Sequence, residues 1–247
     1  MNFLKDEFNR GMAPIYIALA TVVEVALGLW LWAPLFPFLG ALAVYPVFFH
    51  YTRTGRLKTA FLATAGWAAL HFILVAGAAA MNIGDIGQGA VEGYIATDSA
   101  GSTPQAGPGG DMEKLGRISA ARAGDLVAVI ALSAISGGAL ALAAGTAGLN
   151  QLAIKAGLAI GQGHGLDAAI LSFPPWMFFR ASGLLMALMG VSWLFIMRLE
   201  KRPMEFGRGL GWVALGAFFL AFDTYLMWNL QEPWARFLAE AMNGPIK

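Results

Sequence analysis

Three features of the chain point to an all-α integral membrane protein, a bundle of about six transmembrane helices. Charge is pushed to the ends of long apolar runs: Ala13 to Trp32 holds one ionisable residue in twenty, and Ala60 to Met81, Leu126 to Ala147, Pro174 to Met197 and Leu210 to Leu230 are nearly as clean. Each run reaches across ~30 Å of hydrocarbon as a helix rising about 1.5 Å per residue. Composition agrees, with 58% hydrophobic and 13% charged residues and a mean hydropathy of +0.64, against about a quarter charged in soluble domains. A bilayer offers the backbone no partner outside its own segment, which makes runs of this kind helices. The 247 residues fill a single membrane domain, 1–247, with little left for a soluble one.

The same composition excludes several function classes. A net charge of +1 and the lack of a basic run with interleaved aromatics argue against nucleic-acid binding. With no cysteine, disulfides, thiolate chemistry and Cys-ligated zinc or iron–sulfur sites are excluded. No Walker A, G-x-S-x-G or H-E-x-x-H pattern occurs. A bis-histidine haem would have to use His50, His71 and His164, of which the first falls near a membrane surface and the second near the midplane. No cofactor, metal site or catalytic residue is expected.

Residues 1–12 place Phe3, Leu4 and Phe8 at helical spacing among charges, which suits a short interfacial helix. The first apolar run lacks an A-x-A-like site and is read as a retained helix. Pro34 and Pro37 end it, and a second helix returns from Phe36 to His50, with Trp30 and Trp32 at the interface. Arg53, Arg56 and Lys58 form one basic loop, and Arg198, Lys201, Arg202 and Arg208 form another. The positive-inside rule puts both loops and the N-terminus in the cytoplasm; the expected location is the inner membrane of a prokaryote. A third helix, Ala60 to Met81, leads to a Gly-, Ser- and Pro-rich extracytoplasmic loop, 83–124, whose end from Met112 to Asp125 can form an amphipathic approach to helix four.

Helix four, Leu126 to Ala147, returns inward and is rich in small residues; Gly137, Gly138 and Gly145 suit close helix packing. If the second basic loop is cytoplasmic, the next segment must cross outward. That segment, 148–173, carries Asn150, Gln151, Lys155, Gln162, His164 and Asp167 with five glycines. It reads as a crossing broken near Gly161 to Gly165, or as a re-entrant stretch, buried in protein or lining water. Pro174 to Met197 and Leu210 to Leu230 complete the bundle, and Trp234, Phe237, Leu238 and Met242 share one face of a C-terminal interfacial helix.

Ionisable residues within such runs are costly and therefore candidates for function. Arg180 lies 23 residues before Pro203 and Asp223 lies 20 after it, so on antiparallel helices their depths differ by ~5 Å and they are expected to pair. Glu24 and His71 both fall at mid-helix, where a carboxylate beside an imidazole can relay a proton, share a metal or form a plain structural bond; Tyr45 is an alternative donor to Glu24. His164 and Asp167, with Lys155 and Asn150 upstream, add polar groups, but the surrounding glycines follow no strand and are no nucleotide signature.

Gly145-Thr146, Asn150, Gly157, Pro174-Pro175 and the stretch from Gly183 to Gly190 together resemble the core of the SpoIIM-like family of bacterial and archaeal membrane proteins. The family's Pro-His-Gly followed by an acidic residue is replaced here by Pro175-Trp176-Met177 and Arg180. The resemblance implies an accessory role in a larger complex and transfers no catalytic residue. The expected function is that of a non-catalytic membrane subunit or scaffold whose partners are the bilayer and other subunits or further copies of the chain. A transporter or channel for a small polar solute or proton, using 150–167 and the buried charges, is the alternative; an intramembrane enzyme is the third reading.

Overall fold

The computed structural model describes residues 11–30, 35–81, 111–161, 174–203 and 205–243. Among them are seven helices and no strand: α1 (Ala13–Trp30), α2 (Phe36–Arg53), α3 (Leu57–Ala80), α4 (Asp111–Ser136), α5 (Ala139–Ala159), α6 (Trp176–Leu199) and α7 (Phe206–Asn243). Five of them, α1, α3, α4, α6 and α7, are long and apolar enough to cross a membrane by length and composition. These are the features of a multi-pass α-helical membrane protein. The other two, α2 and α5, pack against each other and their neighbours: α5 lies on α2, α3 and α4, and α2 lies on α1, α3, α5 and α6. Helices shielded by protein need not match hydrocarbon, which is why α2 tolerates Pro46 and α5 tolerates Asn150.

Two hydrogen-bonded turns define one end of the bundle. After α2, Gly55 takes φ 72°, and the Gly55 and Arg56 amides bond to the Thr52 and Tyr51 carbonyls at 3.0 and 2.9 Å. After α6, Lys201 takes φ 51°, and Lys201 and Arg202 repeat the pattern onto Arg198 and Met197 at 3.2 and 3.0 Å. Both are Schellman closures, which satisfy the last carbonyls of a helix with a left-handed residue just beyond it. Arg53 and Arg202 each pair with Glu200, and Arg208 donates to the Gly55 carbonyl and lies over the Trp193 ring, so the two basic loops meet at one face. We call it the basic end.

The expected helix from Leu126 to Ala147 is two helices. Gly137 (φ 62°) and Gly138 (φ 100°) reverse the chain between α4 and α5, in backbone states that cost other residues about 1–2 kcal/mol. Ser136 Oγ donates to the Leu132 carbonyl at 2.5 Å and accepts from the Leu140 amide at 3.0 Å, serving both helix ends. The glycines abut Tyr45, Phe48, Ser192 and Phe195, roughly two turns short of the basic end. The small residues thus make a corner where close packing of one helix was expected, and Gly145 meets nothing within 4 Å. The return segment expected over 148–173 starts at Ala139 and is regular helix to Ala159; the supposed break lies largely in 162–173, outside the described residues.

Close approach is found instead where α5 meets α3, at Gly157 against the Ala76 carbonyl, and between α6 and α7. A Cβ on Gly183 would stand 2.7 Å from the Gly216 carbonyl oxygen, and one on Gly190 would stand 2.5 Å from that of Gly209. Two glycines seven residues apart on each antiparallel helix bring the backbones together. The terminal elements also differ from expectation. α4 begins at Asp111, so the amphipathic approach is continuous with it, and α7 runs 38 residues through Pro233 to Asn243, ~57 Å of unbroken helix where a separate surface helix was expected. Its outer part, through Met227 and Trp234, packs against Ile118 of α4 and Trp176 of α6. Residues 1–10, the hairpin turn at 31–34 and most of the 83–124 loop lie outside the described residues.

Candidate functional site

α1, α3 and α5 run in one direction and each delivers a polar side chain to the same level of the bundle. Glu24 Oε1 lies 2.6 Å from His71 Nδ1 and accepts from Trp67 Nε1 at 3.2 Å. On the other edge of the ring, His71 Nε2 lies 2.5 Å from Asn150 Oδ1. Glu24, His71 and Asn150 are 3%, 0% and 0% exposed. Phe36 and Trp67 stand tilted at 5.6 and 5.3 Å from the imidazole and close its surroundings. The sequence brought Glu24 and His71 into view as a pair; the donor to Glu24 is Trp67 and not Tyr45, which lies beside the Gly137 corner. Gly40 takes the place on α2 facing the carboxylate: a Cβ there would stand 3.2 Å from Glu24 Oε2 and 2.5 Å from Thr146 Cγ2.

The chemistry of this centre follows from its donors and acceptors. Imidazole bears one N–H and imidazolium two, while carboxylate and amide oxygens only accept. Both ring nitrogens of His71 meet a side-chain partner: Nδ1 the Glu24 carboxyl and Nε2 the Asn150 amide, whose oxygen accepts from an imidazolium and whose nitrogen, with the amide turned over, donates to a neutral ring. Two polar atoms of the centre are buried with no hydrogen-bond partner among the described residues, Glu24 Oε2 and Asn150 Nδ2. Native interiors leave few such atoms, and each calls for an explanation.

A second polar knot joins α4, α6 and α7. Asp223 Oδ2 accepts from Arg122 Nε at 2.5 Å; Arg122 Nη1 reaches Asp125 Oδ2 at 3.5 Å and Nη2 reaches Met227 Sδ at 3.3 Å. Arg180 Nη2 donates to Asp125 Oδ2 at 2.8 Å. The direct Arg180–Asp223 pair expected from depth is therefore replaced by two bonds to α4. Equal depth sets only the axial coordinate. It left open a third helix in the groove, and α4 brings both opposite charges. Arg122 and Asp125 escaped the sequence reading because they precede the apolar run; their signal was an R-x-x-D pair, one helical turn apart, just before it.

Of the remaining candidates, Lys155 lies on the exposed face of α5, away from the Asn150 face. His164 and Asp167 lie outside the described residues. Among the described residues no three His, Cys, Asp or Glu side chains gather as a metal site. Comparison with protein families, with curated proteins and with solved structures finds no match to this chain.

Proposed function

We propose that this protein is a multi-pass transport protein that carries protons through the Glu24–His71–Asn150 centre, with its basic end in the cytoplasm. The observation that carries the reading is the fully buried imidazole held at both nitrogens by side chains of two other helices. As imidazolium, His71 donates to Glu24 and to Asn150 Oδ1. As neutral imidazole it keeps the bond to Glu24 and accepts from Asn150 Nδ2 once the amide turns over. The centre thus gains or loses one proton with its hydrogen bonds kept, a property suited to a proton-binding station at membrane depth, where ionisable groups mark ion pathways.

Proteoliposomes under a potassium diffusion potential, with a pH dye inside, test this. The parent should pass protons above the rate of empty liposomes, and Glu24→Gln and His71→Gln should each lower the flux at least ten-fold while remaining folded. Parent flux equal to that of empty liposomes overturns the reading. A second reading then stands, a membrane scaffold or accessory subunit as the SpoIIM-like resemblance implies. It draws on the way each polar knot ties three helices together.

A further inference from the structure

We infer that the basic end is a binding surface for anionic lipid, where Arg56, Lys58, Arg198 and Lys201 hold the phosphodiester headgroups of the adjoining leaflet. This surface is independent of the proton-carrying centre. The two loops, 53–58 and 198–208, carry seven basic side chains and two acidic ones, Glu200 and Glu205. Three of the seven are engaged within the protein. Arg53 and Arg202 share Glu200, and Arg208 reaches Glu205, the Gly55 carbonyl and the Trp193 ring. Arg56, Lys58, Arg198 and Lys201 are exposed, and none makes an ion pair or side-chain hydrogen bond among the described residues. The engaged cations thus fasten the loops together, and the other four present the excess charge to the surroundings.

Position decides what can neutralise that charge. The candidate spans of α3, α6 and α7 begin or end at Leu57, Leu199 and Phe206, so each of the four cations stands within two residues of a span's end. Three residues join α2 to α3 and six join α6 to α7. Loops this short, each folded back by its closing turn, keep the cations in the headgroup layer, roughly 5–7 Å deep. Exposed apolar side chains lie beside them: Leu199, Phe206 and Leu210 are 65%, 53% and 54% exposed. Cations at the phosphate level next to leucine and phenylalanine at the acyl level match both parts of a lipid. An acidic protein would reach the cations only by displacing headgroups. Clusters of four or more Lys and Arg at the ends of membrane helices attract anionic lipid over about a Debye length, ~10 Å at 0.1 M salt. Two of the four come from each loop, so headgroups held between them bridge the α2–α3 hairpin to the α6–α7 hairpin.

Native mass spectrometry of the detergent-solubilised protein with added phosphatidylglycerol or phosphatidylcholine of the same acyl chains tests this. At low salt the parent should bind phosphatidylglycerol at least ten-fold more tightly than phosphatidylcholine, and about 0.5 M salt should remove most of that preference. Arg56→Gln, Lys58→Gln, Arg198→Gln and Lys201→Gln together should weaken phosphatidylglycerol binding at least ten-fold and leave phosphatidylcholine binding unchanged. Lys114→Gln, Arg117→Gln and Arg236→Gln, at the other end of the molecule, should leave both unchanged. A parent without the preference, or with one that survives high salt, overturns the inference whether or not the quadruple variant folds. So does a folded quadruple variant that keeps the preference, or an equal loss in the triple variant, which would make net charge the cause. Tighter binding of a deca-glutamate peptide than of phosphatidylglycerol would assign the surface to an acidic protein and overturn it as well.

Discussion

Arg122 and Asp223 have side chains 10% and 0% exposed, whereas Arg180 and Asp125 are 28% and 33% exposed. The cost of stranding a charge grows as solvent is excluded, so the two ion pairs of one knot should respond differently. Arg122→Met, which leaves Asp223 buried and unpaired, should cost on the order of 3–5 kcal/mol in detergent; Asp223→Leu, which leaves Arg122 its contact with Asp125, should cost less, and the double variant less than the sum of the two. Arg180→Met leaves a carboxylate that water reaches and should lower the melting temperature less than Arg122→Met does. A thermal-shift series of the four variants measures both; equal losses at Arg122 and Arg180 would place them in equivalent surroundings, contrary to the geometry. The residues found from sequence at this scale, Glu24, His71, Arg180 and Asp223, stood out because charge is rare in apolar runs. Trp67, Gly40 and Asn150 as a histidine partner did not, because an indole, a glycine and an amide are ordinary in membrane helices and only rotation toward Glu24 or His71 gives them a role.

Glycine has two uses in this chain, and the elements separate them. At Gly183, Gly190, Gly209 and Gly216 it lets α6 and α7 approach at the backbone; at Gly137 and Gly138 it turns the chain; at Gly145 it meets nothing within 4 Å. Gly183→Val should therefore destabilise by about 1–3 kcal/mol, the usual cost of overpacking, because the new methyls meet the fixed carbonyl of Gly216. Gly145→Val, on an exposed face, should be neutral or slightly stabilising, since glycine is a poorer helix former. Melting temperatures of the two variants decide it, and a larger loss at Gly145 would mean that its face is packed. The helix reading from Leu126 to Ala147 failed for the same reason: hydropathy carries no sign of backbone handedness, and a Gly-Gly pair among alanines reads as interior helix until its φ angles are known.

For the whole molecule, the corner at Gly137 and Gly138 sets the direction of the helices that follow. α4 runs toward the basic end, α5 runs back beside α3, and α6 returns to the second basic loop, so both basic loops share an end. Single cysteines at Thr54 and Gly207 should therefore react with an impermeant thiol reagent from one side of the membrane and a cysteine at Met81 from the other. In intact cells Met81→Cys should label and the other two should not. Labelling of Thr54→Cys and Gly207→Cys from opposite sides would break the fold. What the sequence determined alone was the class and the apolar helices, because hydrocarbon admits backbone only as closed helix and penalises every charge within a run. Which charges meet was decided by the tertiary structure. A side chain's partner depends on the rotation of its helix and on which third helix fills the groove, and neither is set by depth: Asp223 found Arg122, and His71 found Asn150.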